Sequence, residues 1–148
     1  MFRTLSAAAA FAVIATTVLA QSDLVAARKA VMDGFGKHMY RALPDMLKGA
    51  TPYNQATVDI AFVQLADGAQ KLPQLYTEST KDLPPSGRYG ASQKVWANKA
   101  DFDAKLANYS KAIADGRARA TSLEGLKEAY AIVDRACDSC HESYRVRN

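Results

Sequence analysis

The amino-acid sequence predicts an all-α fold, an antiparallel up-down-up-down four-helix bundle. Apolar residues recur at steps of three and four in four separate stretches, which is typical of amphipathic helices. Few stretches alternate apolar and polar residues, and runs of β-branched residues are absent, so a sheet is not expected. With short connections, an up-down-up-down bundle places the fourth helix antiparallel to the first.

The chain divides into a leader, residues 1–20, and one domain, residues 21–148. The leader has the form of a cleaved signal peptide, with Arg3 before an apolar run and the small residue Ala20 at its end. That run is short for a bilayer-spanning helix, which needs ~20 residues, although an uncleaved anchor is the alternative. We therefore expect an exported, soluble protein with a formal charge of 4 − 1 = +3 after Arg3 is removed. This balance gives no reason to expect nucleic acid or an anionic membrane as a partner.

The first two helices are predicted from Asp23 to Lys48 and from Asn54 to Pro73. Pro44 lies inside the first, where it removes a backbone donor and should cause a kink or fraying. The apolar seam of the first helix, interrupted by Arg28, is Val25, Met32, Phe35, Met39, Ala42 and Met46. The irregular stretch between residues 73 and 92 is expected to cross between two helix pairs, although loops of this length are often functional.

The third helix is predicted from Ser92 to Asp115, with Gly116 ending it. The fourth begins at residues 121–124, Thr-Ser-Leu-Glu, which have the T-x-x-E form of a capping box. Its apolar seam alternates steps of three and four without a break through Leu123, Leu126, Tyr130, Val133, Cys137, Cys140 and Tyr144. The seam predicts that both cysteines face the interior of the bundle.

The fourth helix carries Cys137-Asp138-Ser139-Cys140-His141, which has the C-x-x-C-H form of a c-type haem attachment site. Both thiols would become thioethers, and His141 would be the proximal iron ligand. In a helix the three side chains stand at i, i+3 and i+4, on one face. A redox dithiol, half of a zinc site and a disulfide are the alternatives. A thioredoxin-like dithiol needs a βαβ context, and zinc usually needs four Cys or His ligands, whereas the chain has two of each.

A haem inside the bundle needs a second wall, and Met32, Met39, Met46 and His38 are the candidates for a second ligand. The methionines are seven residues apart, so they differ by only ~20° around the helix. In an antiparallel pair of helices, His141 lies roughly 6–11 Å from the end of the bundle, Met32 near ~14 Å, and the others ~10 and ~21 Å deeper than Met32. Depth therefore favours Met32, with core packing as the alternative for any methionine. His38 lies off the seam and is expected at the surface.

Two further residues are predicted near the haem. Arg28, one turn before Met32, could pair with a haem propionate; the alternative is a snorkelling side chain with its head in water. Tyr144 continues the seam and is expected to pack under the haem. Trp96 and Phe102 are expected in the core.

These residues resemble the cytochrome c-prime (cytochrome c′) family, the class II c-type cytochromes. The likeness covers the mature chain, through Arg28–Met32, Met46–Gly49 with Pro52-Tyr53, Lys71–Pro73, Val95-Trp96, Lys99–Phe102 and Cys137–Arg145. Haem attachment near the C-terminus is distinctive, since class I cytochromes c attach it near the N-terminus. The resemblance implies one haem c per chain, bound through two thioethers in the periplasm, with redox proteins as partners. Family members are often homodimers, and the sequence leaves the oligomeric state open.

The residue four positions after the helix-one arginine divides the family. High-spin members have an apolar residue there, commonly leucine, and bind nitric oxide or carbon monoxide at a five-coordinate iron. This chain has Met32 and so resembles the low-spin, methionine-ligated subgroup. The resemblance implies a periplasmic one-electron carrier with axial His141 and Met32 and no catalytic residue. The alternative is a gas-binding protein in which Met32 only lines the distal pocket. A peroxidase-like enzyme is disfavoured, since no distal acid or base is evident near Met32.

Overall fold

Four long helices pack around one apolar core in the computed structural model, which describes residues 23–85 and 87–147. They are α1 (residues 23–47), α2 (Gln55–Leu75), α3 (Lys99–Arg119) and α4 (Leu123–Tyr144). α4 packs most extensively on α3, and α2 packs on α3. The predicted all-α class is confirmed. The predicted signal peptide, residues 1–20, lies outside the described residues.

α1 is not uniform along its length. It consists of α-helical residues 23–37, a π-helical turn His38–Ala42 and a second α-helical segment Leu43–Leu47. The wide turn comes directly before Pro44, whose ring cannot donate a hydrogen bond and would crowd a regular turn. The predicted kink therefore takes the form of a π turn. Its extra residue shifts the buried position from the predicted Ala42, which is half-buried, to Leu43, which is completely buried.

α2 begins as predicted and ends later. The Asn54 side chain caps it by accepting a hydrogen bond from the Thr57 amide at 2.9 Å. The predicted end at Pro73 is wrong, because the helix continues to Leu75. Pro73 removes one backbone donor, and only two residues of the helix follow it. The carbonyl of Leu75, at the helix end, accepts a hydrogen bond from the Arg28 side chain at 2.6 Å.

The stretch after α2 contains structure that the sequence did not predict. A 3₁₀ turn, Glu78–Thr80, is followed by a strand, β1 (Tyr89–Ala91), which pairs antiparallel with β2 (Arg145–Arg147) at the end of the chain. The Ser92 amide also donates to the Tyr144 carbonyl at 2.8 Å. Three-residue strands are too short to show alternation, which explains why this ribbon was missed. The ribbon fastens the loop to the end of α4, so the loop is more than a crossover.

The predicted end of the third helix at Gly116 is also wrong. A one-turn helix, Lys94–Ala97, precedes α3, and α3 continues through Gly116 to Arg119. A Cβ atom at Gly116 would lie 3.0 Å from the Phe62 ring and 3.3 Å from Val133. This glycine therefore lets three helices approach closely and does not act as a stop signal.

α4 begins one residue later than a capping box starting at Thr121 would place it. Its cap is Ser122, whose hydroxyl accepts from the Gly125 amide at 3.1 Å. Leu126, Val133 and Tyr144 of the predicted seam are buried, whereas Leu123, the first helical residue, is exposed. The remaining seam residues, Tyr130, Cys137 and Cys140, are half-buried and pack against the core.

Across residues 23–85 and 87–147, none of the helices combines the length and the apolar character that crossing a bilayer requires.

Two helix glycines offer a test of the packing. A Cβ atom at Gly68, on the buried face of α2, would overlap the Phe35 ring and lie 3.2 Å from Val31, whereas nothing lies within 4 Å of one at Gly34. We expect Gly68→Ala to lower the free energy of unfolding by about 1–3 kcal/mol through overpacking. Gly34→Ala should raise it by up to about 1 kcal/mol through helix propensity. Urea unfolding followed by far-UV circular dichroism measures both, and an unchanged Gly68→Ala variant would contradict the packing.

Candidate functional site

A cavity of about 540 Å³ lies at the end of the bundle where α1 begins and α4 ends. This volume is in the usual range for ligand sites, roughly 300–1,000 Å³. Its walls are mostly apolar and aromatic, and the loop after α2 and the β-ribbon contribute to them. All six residues predicted from the sequence to form the site line it: Arg28, Met32, Cys137, Cys140, His141 and Tyr144.

The two cysteines are half-buried free thiols on one turn of α4. Burial raises the pKa of Cys137 to about 12, with the nearby Asp134 carboxylate adding to the effect. Burial also raises the pKa of Cys140. Both side chains are therefore neutral thiols at physiological pH, which does not suit a reactive dithiol. In the part of the chain that the structure describes, no group of three or more His, Cys, Asp or Glu side chains could hold a metal ion, so the zinc interpretation gains no support.

His141 is half-buried next to the cysteines. Its Nδ1 atom is buried and has no hydrogen-bond partner among the described residues. Burial lowers the pKa of the imidazole, and the positive charge of Arg145 lowers it further, while Asp138 acts in the opposite direction. The neutral imidazole is thereby favoured, and this is the form that binds metals.

The three methionines of α1 have different surroundings. Met32 is half-buried at the cavity wall. Met39 also reaches the cavity but is almost completely buried, and Met46 is buried in the core away from the cavity. Met32 is therefore the methionine with the most freedom at the cavity surface. His38 is half-buried in the π turn and does not line the cavity, so its predicted surface position is only partly right.

Arg28 is buried, with only 8% of its surface exposed. Its Nε donates to the Leu75 carbonyl at 2.6 Å, and one terminal nitrogen donates to the Thr80 hydroxyl. The guanidinium also lies 4.5 Å from the centre of the Tyr76 ring and 5.7 Å from that of Trp96. The snorkelling alternative is therefore wrong, because the head of this side chain is not in water. Burial lowers the pKa of the guanidinium, yet an arginine remains protonated.

The partners of Arg28 are themselves tied together. The Thr77 carbonyl accepts hydrogen bonds from the Trp96 indole at 3.0 Å and from the Thr80 hydroxyl at 2.7 Å. We call this set, Arg28 with Leu75, Tyr76, Thr77, Thr80 and Trp96, the arginine cage. Sequence reasoning missed the loop residues of the cage, because irregular segments have no periodicity that marks a buried side chain. The one available signal was Arg28 itself, a charge on an apolar seam that required a partner.

Tyr144 also lines the cavity and is buried. Its ring packs edge-on against Phe102, with 5.2 Å between ring centres. Its hydroxyl donates to the Asp101 carboxylate at 2.6 Å, and this bond raises the pKa of Tyr144 to about 12. Asp101 was not assigned a role from the sequence. Asp101 does not line the cavity itself, but it accepts the hydrogen bond that fixes the Tyr144 side chain, which does.

Tyr109, on α3, is a further residue of the cavity wall. Its hydroxyl is buried beside the Cys137 thiol, and burial raises its pKa, with the thiol adding to the effect. The ring packs edge-on against Phe35 at 5.4 Å and also lines the cavity.

Comparison with known proteins places this site in a family. The family model described as cytochrome C′ matches residues 23–145. The chain belongs to the cytochrome c′ family. Cytochromes of this family are electron-transfer proteins rather than enzymes, and their cofactor is a covalently attached c-type haem. The resemblance expected from the sequence is confirmed.

Individual relatives agree with the family assignment. The chain is 37% identical over 146 residues to a cytochrome c-556 of Rhodopseudomonas palustris, covering 98% of this chain and 97% of the relative. It is 35% identical over 133 residues to a cytochrome c-555 of Bradyrhizobium diazoefficiens, covering 90% and 89%. The structure of the R. palustris cytochrome c556 matches with a TM-score of 0.75, covering 86% of this chain and 98% of that one at 35% identity. The cytochrome c′ of R. palustris matches with a TM-score of 0.77 at 29% identity, covering 85% and 98%. These neighbours confirm the four-helix bundle.

In this cytochrome c′ family member, the contacts of the arginine cage predict that a substitution at Arg28 lowers stability more than one at its neighbour Lys29. We expect Arg28→Met to lower the free energy of unfolding by about 1–3 kcal/mol, since it leaves the Leu75 carbonyl and the Thr80 oxygen without their donor. The control is Lys29→Met, which removes an exposed ion pair with Asp33 and should change stability by less than about 1 kcal/mol. Urea unfolding of both proteins measures the difference, and equal effects would mean that the cage does not stabilise the fold.

Proposed function

We propose that this protein is a periplasmic one-electron carrier whose haem iron is low-spin, with His141 and Met32 as its axial ligands. The observation that supports this most directly is the presence of Met32 in the same cavity as the C-x-x-C-H motif. The proposal refines the family assignment, which by itself supports only an electron carrier.

The cavity fits a covalently attached haem. Cys137 and Cys140 lie on its wall, and thioether bonds to a haem would leave both sulfur atoms uncharged in this apolar setting. Apolar and aromatic side chains would surround the macrocycle, as is usual for cofactor sites within helix bundles. Iron in such a site supplies a reversible Fe(III)/Fe(II) couple. The residues of this chain would bind the group, exclude water and fix the axial ligands.

The two residues that would hold the iron lie on different helices of the cavity wall. His141, with its neutral imidazole, would be the proximal ligand from α4, and the Met32 thioether would be the distal ligand from α1. Histidine–methionine ligation raises the reduction potential and leaves no open coordination position. If both side chains ligate in either oxidation state, little rearrangement would accompany electron transfer.

Arg28 and Tyr144 complete the proposed site. The hydrogen bonds found for Arg28 within the described residues use Nε and one terminal nitrogen, which leaves the other for a haem propionate. Tyr144, held by Asp101, would pack under the haem. Loss of a propionate contact in Arg28→Met would change the pH dependence of the reduction potential. An unchanged dependence would restrict Arg28 to its structural contacts.

The proposed periplasmic location is based on the sequence alone. Residues 1–20 would direct export and be cleaved, and haem would be attached in the periplasm, where redox proteins are the expected partners. A homodimer is also proposed from the family resemblance, and sedimentation analysis of the purified holoprotein tests it.

A second candidate function is gas binding at a five-coordinate iron. It is favoured by the likeness to the R. palustris cytochrome c′, at 31% identity over 129 residues. In that case Met32 would only line the distal side of the cavity, and nitric oxide or carbon monoxide would bind there. The absorption spectrum of the purified holoprotein separates the two functions.

Covalent attachment is tested at the two cysteines. We expect haem to remain with the polypeptide on a denaturing gel, because thioether bonds survive unfolding. The double variant Cys137→Ser/Cys140→Ser should lose this haem completely, since serine forms no thioether. Haem staining of the gel measures both, and haem retained by the double variant would contradict attachment at these positions.

Axial ligation is tested at two methionines of the same helix. Met32→Leu should convert a low-spin spectrum into a high-spin one and allow carbon monoxide to bind the reduced protein. Met46→Leu is the matched control, because Met46 lies on the same helix but away from the cavity, and it should leave the spectrum unchanged. A Met32→Leu protein that stays low-spin would show that another residue is the ligand. A wild-type protein that is high-spin would favour the gas-binding function.

A further inference from the structure

Three arginines are grouped on the β-ribbon at the mouth of the cavity. Arg88 immediately precedes β1, and Arg145 and Arg147 are the first and last residues of β2. All three are exposed, and residues 87–91 and 145–147 include no acidic side chain. Among the described residues, none of the three forms a salt bridge with a carboxylate. We call them the ribbon arginines.

Tyr89 holds two of the ribbon arginines in place. The guanidinium of Arg145 lies 4.9 Å from the centre of its ring and that of Arg88 lies 5.4 Å from it. Contacts between cations and an aromatic face restrict the side chains while leaving their hydrogen-bond donors free. Tyr89 is itself 45% exposed and Val146, in the neighbouring strand, is 41% exposed. Exposed tyrosine and arginine together are the residue types enriched in protein–protein interfaces.

The ribbon lies beside the cavity of the proposed haem site. Arg88, Tyr89, Arg145 and Val146 line the rim of the cavity that contains the C-x-x-C-H motif. Arg145 follows His141 by four residues, about one helical turn, or ~6 Å along the axis. A protein that docks on the ribbon would therefore come close to the proposed haem, and electron transfer requires a short distance.

We infer that the ribbon is the docking surface for a redox partner with an acidic face. The inference rests on the proposed electron-carrier function. Guanidinium groups bind carboxylates through paired hydrogen bonds, and opposite charges on two surfaces raise their rate of encounter. The mature chain has a formal charge of only +3, so the partner is attracted by the local group and not by a large overall charge. A second copy of this chain would bring arginines against arginines and is disfavoured.

The test uses the purified holoprotein and small redox reagents of opposite charge. Hexacyanoferrate(III) accepts one electron from the reduced protein and becomes hexacyanoferrate(II), and a cationic cobalt(III) complex accepts one electron to become cobalt(II). We expect the anionic reagent to react about tenfold more slowly with Arg88→Glu/Arg145→Glu at low ionic strength. The cationic reagent should react faster with this variant, and added salt should remove both differences.

The matched control reverses two exposed charges at the opposite end of the bundle. Arg117→Glu/Lys127→Glu changes the total charge by the same amount and should alter both rates by less than about twofold. Equal effects of the two double variants would show that only total charge matters, and no effect of either would also overturn the proposal. Arg88→Gln/Arg145→Gln should give an intermediate rate, which separates charge from damage to the ribbon.

A binding measurement distinguishes the possible occupants. Poly-glutamate, as a model of an acidic protein surface, should bind the wild-type holoprotein and the control variant but not Arg88→Glu/Arg145→Glu. Preferential binding to vesicles that contain phosphatidylglycerol would indicate a membrane surface instead and overturn the proposal. Self-association that is lost in the same variant would indicate a dimer contact and also overturn it. If the purified protein contained no haem, the proposed function itself would be wrong. If the protein contained haem but its electron-transfer rates did not change in the ribbon variants, only the docking surface would be wrong.

Discussion

The central constraint on this fold is that α4 carries two cysteines and a histidine on the face that points into the bundle. A helix with this seam cannot pack tightly against its neighbours along its whole length if those side chains are to hold a large group. The core is accordingly dense around Leu126 and Val133, which are completely buried, and opens into a cavity at Cys137 and beyond. The other parts of the structure at this end are arranged around that opening, and several of them lie outside the four helices.

The arginine cage connects α1 with the end of α2 and the loop that follows it, at the open end of the bundle. A buried guanidinium would be unfavourable without partners, because desolvation of its charge must be offset. Arg28 obtains hydrogen-bond acceptors from Leu75, the last residue of α2, and from Thr80 in the 3₁₀ turn, and its guanidinium lies against the rings of Tyr76 and Trp96. The same contacts therefore satisfy the charge, end α2 and order the loop. Met32 lies one turn further along α1, so the turn that bears the proposed ligand is held through Arg28 to α2 and Trp96.

The sequence predicted the helices and their interior faces because both follow from periodicity. The predicted seam of α4 lies against the core apart from its first residue. Met32 and His141, which the depth estimate grouped, both line the cavity, as does Met39, which the estimate placed deeper. The errors occurred where one residue has two possible roles. Pro73 and Gly116 were interpreted as stop signals, whereas the structure has the first in a final helical turn and the second at a close contact between helices. A single sequence does not distinguish a glycine that ends a helix from one that allows close packing.

The part of the site contributed by the loop after α2 was not predictable in this way. Thr80 and the two strands of the ribbon have no pattern in their own segments, and their positions depend on contacts with Arg28 and with the end of α4. Buried polar contacts between distant segments are specified by geometry and not by local sequence. The motif and its seam therefore identified the chemistry of the site, while the rim that a partner would meet became apparent only from the folded chain.

Whether this bundle acts as an electron carrier or as a gas binder depends on the side chain at position 32. A thioether and an isobutyl group have similar volumes, so exchange between methionine and leucine would disturb the packing of α1 little. Their chemistry differs, because the thioether sulfur can ligate iron and the hydrocarbon cannot. The surrounding residues, including the arginine cage and Tyr144, are compatible with either function. A bundle of this kind can therefore change its function through one side chain without rebuilding its core, provided that the side chain keeps some freedom at the cavity wall. Met32 is half-buried at that wall, whereas Met39 and Met46 are buried.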